Sequence, residues 1–159
     1  MKTKHVLGIG VGLAVLALAG PLAHPFGAVD RTANPAPLFA KSQIPSDVLA
    51  TFERKCADCH SERTRWPLYS HVAPAAWLLE RDIHEGREHL NASRWSDYTM
   101  ERKEELLGEL GRQARNRTMP PSQYTMIHRD AKLTAEEAER IVAWTKAERH
   151  AIREKAVEP

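Results

Sequence analysis

The chain has 159 residues, enough for one domain with a hydrophobic core and too few for two. Setting aside Lys2 and Lys4 as part of an N-terminal targeting segment leaves 21 of the 23 basic side chains against 21 acidic ones, a balance that argues against nucleic acid as a partner. Glu, Arg, Leu and Ala dominate after position 40 with few β-branched runs, so composition predicts an all-α domain.

Residues 1–23, MKTKHVLGIGVGLAVLALAGPLA, place two lysines ahead of an uncharged stretch from Val6 to Ala23. A helix of that length reaches about 27 Å, just short of a hydrocarbon core of roughly 30 Å. The apolar heart Leu13 to Ala19 ends in Ala17-Leu18-Ala19, a small-x-small pattern that a signal peptidase could cut. A cleaved signal and a retained membrane anchor both fit. Lysines before the segment and none just after it direct the rest of the chain out of the cytoplasm, to a periplasmic or extracytoplasmic location. Residues 24–45 hold Pro25, Pro35, Pro37 and Pro45 with little periodicity and read as a flexible tether to a domain spanning residues 46–155.

Four helices are expected in that domain. Ser46 and Asp47 can cap the first, whose apolar positions Val48, Phe52 and Cys56 recur at four-residue steps. Pro74 opens the second, with Ala76, Leu79, Ile83, Gly86 and Leu90 inward and Glu80, Arg81, Glu85 and Glu88 on a solvated face. The third covers about residues 98–115 with Leu107, Leu110 and Ala114 inward, and a proline-rich loop follows from Met119 to Tyr124. The fourth begins at Thr134, where Thr-Ala-Glu-Glu resembles a capping box, and carries Ile141, Trp144 and Ile152. Trp66, Trp77, Trp95, Trp144 and Tyr69 read as core aromatics.

The first helix delivers the only two cysteines, in the string Cys56-Ala-Asp-Cys59-His60. On a helix this spacing puts both sulfurs on one face within a turn, where each can form a thioether with one vinyl group of a porphyrin. His60 can then offer its ring nitrogen to the iron. C-x-x-C-H is the signature of c-type haem attachment, so one covalently bound haem c is the expected cofactor. Three other chemistries share the residues. A thioredoxin-like dithiol expects a βαβ setting, which is not visible; a structural zinc site needs a second ligand pair; a disulfide would close only a tiny loop. Opposite His60, Met119 stands before two prolines that stiffen its backbone, and a thioether there would raise the reduction potential as suits an electron carrier. His128 and His71 are the bis-His alternatives, with Met126 and Met100 behind them. Arg65 and Arg87 are candidate partners of the haem propionates.

These residues fall in an ordered series of motifs. Cys56-Ala-Asp-Cys-His-Ser, Thr64-Arg-Trp-Pro-Leu-Tyr-Ser, Ala73-Pro with Trp77, Gly86-Arg, Leu90-Asn with Ser93 and Trp95, then Met119-Pro, Tyr124, His128 and Ala131 with Leu133 resemble the bacterial haem-binding domain family of c-type cytochromes over roughly residues 45–148. Leu68 departs from the family pattern, which tends to have a second tryptophan there. The resemblance implies one covalent haem c in a small helical domain, with Cys56, Cys59 and His60 as attachment and proximal residues and Met119, or its rival His128, as distal ligand. The function so implied is electron transfer with redox partner proteins that the family does not specify. A peroxidase-like or gas-binding haem protein, with an open or displaceable distal site and His128 or Arg129 above the iron, is the enzymatic alternative.

Overall fold

The computed structural model describes residues 2–32, 34 and 36–157. Seven α-helices follow one another: α1 (Lys2–Ala19), α2 (Ser46–Lys55), α3 (Ala57–His60), α4 (Ala75–His89), α5 (Met100–Asn116), α6 (Ser122–Ile127) and α7 (Ala135–Val157). Among the described residues there is no strand, in keeping with the all-α composition. Among the described residues, no helix is long and apolar enough to cross a membrane.

The helices expected from apolar spacing are α2, α4, α5 and α7. Most of their inward positions hold: Val48, Phe52, Ala76, Leu79, Ile83, Leu90, Leu107, Ala114, Ile141, Trp144 and Ile152 are buried, while Cys56 and Leu110 are only partly buried against the core. α5 and α7 form the longest contact and run antiparallel, since Gly111 abuts Thr145 while Glu104 near the start of α5 takes Arg149 and Arg153 from the later part of α7. A Cβ at Gly111 would fall 2.7 Å from the Thr145 hydroxyl, so glycine is what lets the two helices close. The start of α7 is a reciprocal cap: the Glu137 amide donates to Thr134 Oγ1 at 3.2 Å and the Thr134 amide to Glu137 Oε2 at 2.9 Å.

Several expectations need correction. Ser46 is the first helical residue of α2, and the cap position falls to Pro45 with no side-chain bond. Glu80 is not on a solvated face; it is 2% exposed, and its carboxylate takes His24 Nδ1 at 2.9 Å and Arg31 at 3.7 Å. The proline-rich stretch from Met119 gives way to α6 at Ser122. Trp66 and Trp77 are only half-buried: Arg31 lies over the Trp66 ring, and Trp77 Nε1 donates to the carbonyls of Gly20 and Ala23.

The largest difference concerns residues 24–45. Pro35 lies outside the described residues, but the neighbouring chain is packed onto the helices rather than free. Leu38 and Phe39 sit in the main core, and the Phe39 amide donates to the Ala92 carbonyl at 3.0 Å. Phe39 is 1% exposed and meets Phe52, Trp95 and Trp144 edge-on, with ring centroids 4.7, 5.1 and 5.1 Å away. Upstream, Arg31 donates to the Ser70 carbonyl at 3.3 Å and Asn34 to Glu62 at 2.7 Å. The supposed tether is thus a strap across the domain, and one of its side chains is a central piece of the interior.

Candidate functional site

The cysteine-bearing turn is held at its entrance by Lys55. Its Nζ donates to Glu137 Oε2 at 2.6 Å and to the Lys132 carbonyl at 2.7 Å, tying the end of α2 to the cap of α7. The backbone breaks at Cys56 (φ −127°, ψ −33°), which ends α2 and opens α3. Its carbonyl then accepts from the amides of Cys59 at 3.2 Å and His60 at 3.0 Å, so Cys56, Cys59 and His60 share one turn. Both cysteines are free and half-buried. Burial, together with the neighbouring Cys59, pushes Cys56 up to about 12; burial with Asp82 and Asp58 does the same to Cys59. At neutral pH both are thiols.

His60 Nδ1 lies 3.2 Å from the Leu90 carbonyl, which can only accept. Nδ1 therefore carries a proton. Burial holds His60 below the usual histidine value, so the ring is neutral and its lone pair is on Nε2. α4 lies close enough to supply this contact because of Gly86. A Cβ there would fall 2.7 Å from the Cys59 carbonyl oxygen, a backbone atom that cannot swing aside. Gly86→Ala is therefore expected to push α3 off α4 at a cost of about 1–3 kcal/mol, as overpacking does, read as a lower midpoint in chemical denaturation. An unchanged midpoint would show that α3 yields freely.

Beyond His60 the chain is clamped. Arg87 Nε donates to the Ser61 carbonyl at 2.9 Å and its Nη2 to Thr64 Oγ1 at 3.2 Å, while Thr64 Oγ1 donates to the Asp58 carbonyl at 2.7 Å. The Arg65 guanidinium grips the Asp58 carboxylate through Nε at 3.1 Å and Nη2 at 2.9 Å. Arg65 and Arg87, read from the sequence as propionate partners, thus bond to this chain's own acceptors.

A second group gathers next to this turn. Tyr124, on α6, donates to Asp58 Oδ2 at 3.3 Å, and its ring stacks on His128 at 4.4 Å and 25°. Tyr69, on a 3-10 turn over Leu68–His71, places its hydroxyl 2.7 Å from His128 Nε2. Burial, with Asp58 and Cys59 nearby, holds Tyr124 above the ordinary phenol range, and burial first, then Cys59 and Asp58, raises Tyr69. His128 is therefore brought to the cysteine turn through Tyr124 and Asp58. Met119 is 38% exposed and precedes a cis peptide bond to Pro120, three residues before α6 begins at Ser122. Of the other ligand candidates, Met126 is 77% exposed, His71 is exposed at the end of its turn, and Met100 is the first residue of α5. Among the described residues no cluster of three or more His, Cys, Asp or Glu is arranged to hold a metal ion.

Sequence reasoning found the thiols and the imidazole because they are contiguous. It missed the Leu90 carbonyl, which has no side-chain signature, and it placed Tyr69 in the core, although Tyr69 and Tyr124 lie inside the quoted motifs.

Comparison with known proteins gives two findings. The haem-binding domain family matches residues 20–147, well over half of the chain. The chain is also 29% identical over 102 residues to "Cytochrome c peroxidase Ccp" of Escherichia coli (strain K12), an alignment that covers 61% of this chain and 22% of that protein. The chain thus spans about a fifth of the length of that relative. No solved structure gives a significant match.

Proposed function

Because the chain belongs to the haem-binding domain family, and is a haem protein on that ground, we propose that it is a mono-haem c-type cytochrome that carries electrons outside the cytoplasm. The observation that carries this reading is the turn Cys56 to His60: two free thiols on one helical turn, followed by an imidazole whose Nδ1 is held by the Leu90 carbonyl, which leaves Nε2 as the ring's lone-pair nitrogen. The donor set fits haem c. Cys56 and Cys59 would hold the porphyrin as thioethers, and His60 and Met119 would be the iron's protein ligands. Bound haem supplies an iron that cycles between the ferrous and ferric states.

The chain's own residues do the rest. Leu90 fixes the His60 ring and its tautomer, which raises the basicity of Nε2. Lys55 and Gly86 fix the turn against α7 and α4. Residues 1–23 serve as the export signal or the membrane anchor, and the partners are redox proteins that approach from the periplasmic side. An absorption spectrum of the purified protein, oxidised and reduced, tests the whole reading: sharp low-spin bands of a c-type haem are expected, and a colourless protein from cells with working haem maturation sinks it.

The Met119 assignment has its own test. Met119→Ala is expected to abolish the near-infrared charge-transfer band of Met-ligated ferric haem and to lower the midpoint potential, as loss of a soft, neutral ligand requires. If both survive, another group is the ligand.

The likeness to a cytochrome c peroxidase favours a second reading, a peroxidase-like or gas-binding protein whose distal ligand is displaceable. Cyanide or carbon monoxide separates the two: rapid binding to the reduced protein favours the enzyme or sensor, and resistance favours the carrier.

A further inference from the structure

Met119 and His128 compete for one iron position, and they sit on the same short stretch of chain around α6. Three contacts bear on which of them reaches it. The first is at the His128 ring nitrogen: Nε2 is 2.7 Å from the Tyr69 hydroxyl. With the ring proton on Nδ1, the Nε2 lone pair accepts from the phenol; with the proton on Nε2, there is no lone pair there at all. In neither form is Nε2 open to a metal. The second is at the ring face, which lies flat against Tyr124. The third is at the backbone: the His128 amide donates to the Tyr124 carbonyl at 2.9 Å, and the His128 carbonyl accepts from buried Ala131 at 3.0 Å.

Tyr69 is itself on a fixed mount. Its neighbour Ser70 is fully buried, with its amide bonded to the Pro67 carbonyl and its carbonyl to Arg31. Met119 is 38% exposed, on the segment that leads into α6.

We propose that Tyr69 is a positioning residue that reserves the distal iron position for Met119 by occupying Nε2 of His128. This rests on the haem reading above. The hydroxyl does not have to outweigh an iron–nitrogen bond; it has only to tip a contest between two ligands nine residues apart.

The test uses the haem-loaded full chain, with the near-infrared band and the midpoint potential as readouts. The wild type is expected to show the band. Tyr69→Phe, which keeps the ring and removes the hydroxyl, is expected to lose it and to shift to a lower potential as His128 replaces Met119. Tyr69→Phe combined with His128→Ala is expected to regain the band, and His128→Ala alone to keep it, which also serves if the phenylalanine variant does not accumulate. A band at wild-type intensity in Tyr69→Phe overturns the inference, as does failure of the double variant to regain it or loss of the band in His128→Ala. Those three outcomes leave Met119 as the wild-type ligand. A wild type without the band removes the Met119 assignment and this inference with it.

Discussion

A chain carrying serine at both Cys56 and Cys59 is expected to run as a normal protein band on a denaturing gel and to give no haem stain at all. Denaturation breaks any iron–ligand bond, so only thioethers would keep haem on an unfolded polypeptide. Serine cannot form them. In the native state the double variant can still gather haem through His60, whose ring is fixed by Leu90 whether or not the sulfurs are present. The expected pattern is therefore split: a coloured or partly coloured native protein and a blank denaturing lane. Either single variant would keep one thioether on the haem c reading and is expected to stain faintly. Full staining of the double variant would mean that haem is held by some other covalent bond or that it never depended on this turn. A blank lane from the wild type, by contrast, would separate the family's haem binding from covalent attachment.

Phe39→Ala is expected to cost about 3–5 kcal/mol, the range for removing a buried phenylalanine ring, and to lower Tm by roughly 10–15 °C. Against a typical total of about 5–15 kcal/mol, that is enough to leave a marginal domain. The ring meets Phe52 of α2, Trp95 of the turn Ala92–Asp97, and Trp144 of α7, so its loss opens a void where three elements join. Its backbone is a further sign of what the ring contributes. Phe39 has φ of 51°, a left-handed conformation that costs a side-chain-bearing residue about 1–2 kcal/mol, and the packing of the ring outweighs that. Thermal unfolding of the variant checks the prediction. A shift of only a degree or two would mean that residues 24–45 are indeed a dispensable tether.

That residue also marks where sequence reasoning stopped. α2, α4, α5 and α7 were legible because each buries one stripe, and periodicity reports a stripe. The cap at Thr134 and Glu137 was legible because its partners are three residues apart. Phe39 is a lone aromatic in a proline-rich run, and its partners come from elsewhere in the chain. Glu80 looked solvated for the same reason: its partner His24 is 56 residues away. α6, at six residues, is too short to show a period. At the site, the thiols and His60 form a contiguous string and could be read directly. The Leu90 carbonyl belongs to backbone, and the contact between Tyr69 and His128 spans 59 residues, so neither leaves a local trace.

The strap over residues 24–45 also limits how far the domain can travel. A free coil of that length would let its cargo wander over roughly 25 Å. Here the slack is taken up almost at once: Gly20 is pressed against Ala73 and Trp77, and His24 is fastened to Glu80, so the domain begins where α1 ends. If residues 1–23 stay at a membrane, the Cys56–His60 turn has no leash with which to search for a distant acceptor, and any partner has to do the diffusing.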